Sequence, residues 1–154
     1  TQKTECIRLH IRANSNNTDD QNVKYKVKEA VVNYLTPRLT DCKDFDDVYE
    51  TVKQSQLDLR NICLDELKKH GFYYEVSVSL REEYFPARDY DGYVFDDGIY
   101  NALIINLGTG KGDNWWCVIY PPLCFLGAAD TDSENIIYKS KIYELIQQWK
   151  KDKI

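Results

Sequence analysis

The chain has 154 residues, of which 43% are hydrophobic and 29% charged, so one domain can bury a core without needing a disulfide. Its 20 basic and 25 acidic residues give a net charge of −5, which argues against nonspecific binding to duplex nucleic acid. It has no Met, five Cys without a CxxC pair, and no apolar run of about 18 residues that could span a bilayer.

A first strand is predicted over residues 6–13, where the side chains alternate between two faces. One face carries Ile7 and the apolar residues that alternate with it, whereas the other face carries Arg8, His10 and Arg12. We therefore expect a half-buried strand whose second face is basic.

A helix is predicted to follow over about residues 18–37, after a turn at the NSNN run of residues 14–17. Thr18 and Gln21 have the spacing of a capping box, which marks a helix N-terminus. The predicted solvent side of this helix carries Lys24, Lys26 and Lys28.

A second helical stretch is predicted over residues 44–69, either as one bent helix or as two helices separated at the polar run 54–56. His70 stands before Gly71 at its end, which is the usual arrangement of a helix C-terminus. His70 is therefore predicted to have a structural role.

The rest of the chain is predicted to form strands and then one helix. The predicted strands cover residues 74–80, 93–95, 99–107 and 115–120, with a loop at 89–92, a hairpin turn at 96–98 and a glycine loop at 108–113. A final helix is predicted over about residues 132–151. The order β-α-α-β-β-β-β-α predicts a single α+β domain over residues 1–154, with a mixed or antiparallel sheet of about five strands and two to four helices.

No motif singles out a catalytic residue. The glycine loop GTGKGD lacks the GxxxxGK[ST] pattern and the following helix of a phosphate-binding loop, so it is interpreted as a tight connection between strands. The paired Asp residues are typical of turns and lack the remaining ligands of a calcium loop. A hydrolase of the cell envelope is disfavoured because the chain has no recognisable nucleophile motif. We therefore expect no enzymatic activity.

The densest feature is NWWCVIYPPLCF at residues 114–125, which holds aromatic, Pro and Cys residues together. Aromatic residues at this density form a core or a recognition surface, and a strand would direct Trp115 and Trp116 to opposite faces. For Cys117 and Cys124 three interpretations stay open: a local disulfide across the Pro121-Pro122 turn, two zinc ligands completed by a residue such as His10, or two inert thiols.

The order of these motifs resembles the stage II sporulation protein R family of endospore-forming bacteria. The resemblance covers roughly residues 7–125 and rests on NWWCVIYPPLCF, YFPARDY and GIYNALI, and on IRLHIRANS followed by DQNVKYKVK. It implies a signalling protein that is made in the forespore and exported to the space between the two sporulation membranes. There it would activate a membrane-embedded aspartic protease of the mother cell, which then cleaves the pro-sequence of sigma factor E.

The resemblance also implies that an export or anchor segment precedes this chain and that Cys117 and Cys124 are the two motif cysteines. The residues proposed to bind the partner or to support that contact are His10, Asn14, Ser15, Gln21, Trp115, Trp116, Cys117, Pro121, Pro122, Cys124 and Phe125. The alternative function is a zinc-binding envelope module that uses His10, Cys117 and Cys124; otherwise no cofactor is expected. A homodimer through an unpaired cysteine, with Cys6 as the first candidate, is a further expectation.

Overall fold

A computed structural model describes residues 6–90, 92–122, 144–147 and 149 of the chain. Its elements are β1 (Ile7–Arg12), α1 (Thr18–Leu39), α2 (Phe45–Gln54), α3 (Gln56–Lys69), β2 (Val76–Phe85), β3 (Arg88–Tyr90), β4 (Tyr93–Phe95), β5 (Gly98–Leu107) and β6 (Asn114–Tyr120). Residues 144–147 and 149 are helical, and the rest of the predicted final helix lies outside the described residues. The predicted α+β class and element order are confirmed.

The main sheet is mixed and has the strand order β2-β5-β1-β6. β1 runs parallel to β5 and antiparallel to β6, and β2 pairs antiparallel with β5 along its whole length. The first strand of the chain therefore lies inside the sheet with a neighbour on each side. Such a strand has both faces available for burial, which a sequence pattern of alternating polar residues does not indicate.

The three helices α1–α3 cover one face of this sheet. Each presents an apolar stripe at helical spacing, and these stripes bury residues of β1 and β5 such as Leu9 and Leu103. The fully buried residues of the stripes include Val27, Val31, Leu35, Val52, Leu59, Cys63 and Leu67. Burial raises the pKa of the Cys63 thiol to about 12, which fits a cysteine that packs as a small apolar side chain.

The helix boundaries confirm one prediction and correct another. The second helical stretch is two helices, because α2 ends at Gln54 and α3 begins at Gln56. The α1 cap is Asn17 rather than Thr18, since the Asn17 side chain accepts a hydrogen bond from the Asp20 backbone N–H.

At the other end of the helical layer, His70 is the C-cap of α3, as predicted. Gly71 follows it with a φ of 83°, a left-handed conformation that glycine adopts at little cost.

The predicted hairpin turn at residues 96–98 is wrong, and residues 89 and 90 of the predicted loop at 89–92 belong to β3. β4 pairs antiparallel with β3 and forms a separate two-stranded sheet, whereas β5 pairs with β2 and β1. The DG pair after Phe95 therefore separates strands of different sheets. Which strand a short segment joins depends on distant partners, and a turn signal carries no information on them.

The second face of the main sheet, opposite the helices, is buried at its centre, which the sequence did not indicate. Arg8 and His10 are 0% and 3% exposed, so the expected half-buried strand is instead buried on both faces. Phe85 and Ile104 form a small separate apolar cluster on this face, and Trp116 packs against it. Phe95 and Trp149 pack together with ring centroids 5.8 Å apart.

No helix among the described residues combines the length and the apolar character needed to cross a membrane.

Candidate functional site

The turn at residues 14–17, here called the Asn14 turn, is held by a buried carboxylate. Asp20 is 4% exposed, and its Oδ2 accepts hydrogen bonds from Asn14 Nδ2 at 2.8 Å and from Ser15 Oγ at 2.7 Å. Its Oδ1 accepts a third, from the Tyr74 hydroxyl at 3.1 Å. The Asn14 turn is thereby fixed both to the start of α1 and to the segment that leads into β2.

The electrostatics of Asp20 reflect these three donors. Burial by itself would raise the pKa of the carboxyl, but the hydrogen bonds from Ser15, Asn14 and Tyr74 outweigh it and hold the pKa below its ordinary value. In turn, burial and the Asp20 charge raise the pKa of Tyr74. Asp20 is therefore ionised at neutral pH and acts as a structural acceptor near the positive end of α1.

The glycine loop, residues 108–113, packs directly against the Asn14 turn. The Thr109 backbone N–H donates to Asn14 Oδ1 at 2.8 Å, and the Gly112 N–H donates to Ala13 O at 2.8 Å. A Cβ at Gly108 would lie 2.2 Å from Asn14 Oδ1, and one at Gly112 would lie 2.4 Å from Ser15 O. These glycines permit the close approach of two backbones, which confirms the loop as a connection between β5 and β6.

Gln21 and Lys24 extend this contact along α1. Gln21 Nε2 donates to Ser15 O at 3.0 Å, and Lys24 Nζ donates to Gln21 Oε1 at 2.8 Å and to Asp113 O at 3.2 Å. Lys24 is 1% exposed, so its expected place on the solvent side of α1 is wrong. The structure therefore brings Asn14, Ser15 and Gln21 into one polar network, whose centre at Asp20 was not among the predicted site residues.

The second cluster of predicted residues centres on His10 and Trp116, which lie opposite each other on β1 and β6. Their rings stack with centroids 4.0 Å apart and an interplanar angle of 23°. The Phe85 ring meets Trp116 edge-on at 5.0 Å, and the Arg88 guanidinium lies 4.8 Å from the Trp116 ring centroid. Trp116 is thus enclosed by an aromatic ring, an imidazole and a cation, and such geometries stabilise aromatic side chains beyond simple burial.

His10 is held in its neutral form. Burial lowers its pKa, the nearby Arg12 charge lowers it further, and together they outweigh Glu83 to bring the pKa to about 4. Glu83 Oε2 lies 3.5 Å from His10 Nδ1, while Glu83 Oε1 is 2.6 Å from the Arg12 guanidinium. Glu83 therefore pairs mainly with Arg12. Burial alone would raise the pKa of Glu83, but the hydrogen bond and charge of Arg12 outweigh burial and lower it.

Arg8 extends the second face toward the far end of β1. Its guanidinium carbon lies 4.3 Å from the Phe85 ring centroid and 4.9 Å from that of Tyr100. Sequence reasoning did not single out Phe85, Tyr100 or Glu83 as parts of a site. The available signal was the YFPARDY block, which contains Phe85 and Arg88, but only the paired strands show that it lies beside Trp116.

Trp115 lies on the helix side of the sheet, as the predicted alternation with Trp116 requires. It packs against the core, and Lys28 Nζ lies 5.3 Å from its ring centroid. Trp115 thus stabilises the contact between β6 and α1.

Cys117 is 7% exposed and is disulfide-bonded, which favours the first of the three interpretations of the motif cysteines. Pro121 and Pro122 are buried, and Cys124 and Phe125 lie outside the described residues. Cys6 is 1% exposed, and the homodimer through this cysteine stays a prediction.

The zinc ligand set of His10, Cys117 and Cys124 does not fit this geometry. Cys117 is paired with Leu9 and shares its side of the sheet, whereas His10 is paired with Trp116 on the opposite side. The side chains of His10 on β1 and Cys117 on β6 therefore lie on opposite faces of the sheet and do not converge on one ion. Within the described part of the chain, no group of at least three His, Cys, Asp or Glu residues is arranged to hold a metal.

The contacts of His10 and Asp20 hold neighbouring elements of the fold together. His10 is engaged by a ring stack and by Glu83, and Asp20 by its three donors. The two clusters join β1, β6, α1 and the glycine loop into one rigid framework. Such a framework suits a protein that presents a fixed surface to a partner.

Comparisons with known proteins agree on one family. The family model described as stage II sporulation protein R matches residues 3–130. The stage II sporulation protein R of Bacillus subtilis strain 168 is 34% identical over 122 residues, which are 79% of this chain and 54% of that protein. The chain thus spans about half the length of this curated relative. No solved structure matches the chain.

Proposed function

The chain belongs to the stage II sporulation protein R family, and from this premise we propose that it is an exported sporulation signal. In this proposal it activates a membrane-embedded aspartic protease of the mother cell, and the protease then processes pro-sigma factor E. The observation that carries the proposal is the family match over residues 3–130, which includes the Asn14 turn, the His10–Trp116 stack and Cys117.

The arrangement of the matched residues supports a binding role. Asn14 and Ser15 are used to fix the glycine loop and α1, and His10 is used to orient Trp116. These contacts make the domain rigid before it meets a partner, which lowers the entropic cost of binding. The chain is therefore proposed to act by contact with the protease, without chemistry of its own.

The disulfide at Cys117 supports the proposed location between the two sporulation membranes. Disulfides persist outside the reducing cytosol, so a domain that carries one suits an exported protein. We propose Cys124 as the partner of Cys117, because both belong to the matched motif and lie on either side of Pro121 and Pro122. A bond there would fix the exit of the chain from β6.

The proposal is tested by co-expressing the chain, the candidate protease and its pro-sigma substrate in a host that does not sporulate. Each protein carries its own export or membrane signal, and cleavage of pro-sigma factor E is read by immunoblot. We expect cleavage only when this chain and the protease are both present. Absence of cleavage with all three proteins expressed at normal levels would overturn the proposal.

A protease variant without its catalytic aspartates is the control. With this variant, cleavage should disappear even when the chain is present, because the chain contributes binding and the protease contributes the chemistry. If cleavage persists, the chain itself is a hydrolase and the proposed division of roles is wrong.

A further inference from the structure

The end of the β2–β5 ladder projects beyond the rest of the main sheet. β5 pairs with β2 from Gly98 onward, whereas its first partner on β1 is the pair Ile7 and Asn101. Tyr84 and Ile99 are directly opposite each other in this projecting part, so their side chains share one face. They are 55% and 49% exposed, although both are large and apolar in body.

The Asp97 carboxylate lies beside this exposed pair, and Asp96 precedes it in the chain. The Tyr84 hydroxyl donates a hydrogen bond to Asp97 Oδ2 at 3.3 Å, and the Tyr100 hydroxyl donates to the backbone oxygen of Asp96. In the part of the chain that the structure describes, neither Asp96 nor Asp97 forms an ion pair. The Asp97 charge therefore borders the apolar pair, the Asp96 charge is next to it in the chain, and neither has a basic partner among the described residues.

Isolated exposed apolar residues are ordinary on soluble domains and need no explanation. Tyr73, which is 79% exposed before β2, is such a residue. Tyr84 and Ile99 differ from it because they are adjacent on one face and Tyr84 contacts the Asp97 carboxylate, which Asp96 precedes in the chain. We call the group of Tyr84, Ile99, Asp96 and Asp97 the Tyr84 patch.

We propose that the Tyr84 patch docks onto the extracytoplasmic surface of the protease, at a segment that presents apolar side chains flanked by Lys or Arg. This inference rests on the proposed function, since it names the contact surface for the same partner. Tyr side chains in the centre of an interface contribute much of the binding energy. Opposite charges at the rim speed the encounter and select the orientation, and this contribution weakens with salt.

The apolar part of the patch is tested with the double variant Tyr84→Ser, Ile99→Ser in the co-expression assay. We expect pro-sigma processing to fall by about tenfold or more, because the variant removes both apolar anchors from the contact. Tyr73→Ser is the matched control, since it removes an exposed tyrosine outside the patch, and it should process at the wild-type rate. Circular dichroism and thermal unfolding verify that both variants fold.

The charged part is tested with Asp96→Asn, Asp97→Asn, and this test stands even if the serine variant does not fold. Binding of the purified chain to membranes that contain the protease is measured at about 0.05 M and 0.5 M salt, where screening differs strongly. Wild type should bind more weakly at high salt, and the asparagine variant should lose most of this difference. The control variant Asp46→Asn, Asp65→Asn removes the same amount of charge from exposed positions on α2 and α3. It should keep the wild-type difference between binding at low and at high salt.

The outcomes separate the inference from the proposed function. If wild type fails to trigger cleavage, the proposed function falls and the named partner falls with it. If wild type is active and the Tyr84, Ile99 variant matches the Tyr73 control, only the docking surface is wrong. If sedimentation shows a wild-type dimer that the Tyr84, Ile99 variant dissociates, the patch binds a second copy of the chain and the inference is overturned.

Discussion

Acid should destabilise the domain through His10, whose neutral form the folded structure requires. Burial beneath Trp116 and the charge of Arg12 lower the His10 pKa to about 4, against 6.5 for an ordinary histidine. Below pH about 6.5 the unfolded chain binds a proton that the folded chain does not. The free energy of unfolding therefore decreases as the pH is lowered. The loss builds between pH about 6.5 and 4, and at pH 4 it amounts to about 3 kcal/mol.

The His10→Gln variant isolates this contribution. It removes the titrating group and part of the stack with Trp116, and the lost packing lowers stability by the same amount at every pH. The difference in free energy of unfolding between wild type and variant should therefore shrink by about 3 kcal/mol from pH 7 to pH 4.

The assay is urea unfolding, followed by tryptophan fluorescence and circular dichroism, at a series of pH values for both proteins. A wild-type-minus-variant difference that stays constant from pH 7 to pH 4 would refute the reasoning, since His10 would then carry no linked proton.

The remaining predictions concern the polar network, the glycine loop and the motif cysteines. Asp20→Ala should lower the free energy of unfolding in urea by about 3 kcal/mol or more, because three half-buried donors lose their acceptor, whereas the exposed Asp19→Ala should cost much less. An equal loss for both would show that the buried bonds contribute little. Gly108→Ala should lower the thermal midpoint, since its φ is 59° and its Cβ would meet a side chain at 2.2 Å, and an unchanged midpoint would contradict the close packing. The double variant Cys117→Ser, Cys124→Ser should lose pro-sigma processing in sporulating cells, and normal processing at a normal protein level would show that these cysteines are dispensable.

Much of the local structure could be predicted from the sequence because it depends on near neighbours. Alternation placed Ile7 and Arg8 on opposite faces of β1, helical spacing identified the stripes of α1 to α3, and Gly71 marked the end of α3. The glycine loop was identified as a connection because it lacks the parts of a phosphate-binding loop. The motif order indicated the family, which the comparisons confirmed.

The candidate site was only partly predictable, since its members come from distant parts of the chain. Asn14, Ser15 and Gln21 were singled out, yet Asp20, the acceptor that joins Asn14 and Ser15, was not. Its third donor, Tyr74, is 54 residues away. Burial of a carboxylate depends on such distant donors, and no local pattern encodes them.

The tertiary structure alone decided which faces are buried and which charges meet. The basic side of β1 reads as a solvent face, but β1 lies between β5 and β6, and Phe85 and Trp116 cover it. That arrangement makes His10 neutral and separates it from Cys117, so it also removes the zinc set that composition allowed. The sequence by itself determined the helices, the longer strands and the family, because periodicity and motif order are local. Strand order decided the chemistry of the site, because pKa values and ligand geometry depend on what packs across the sheet.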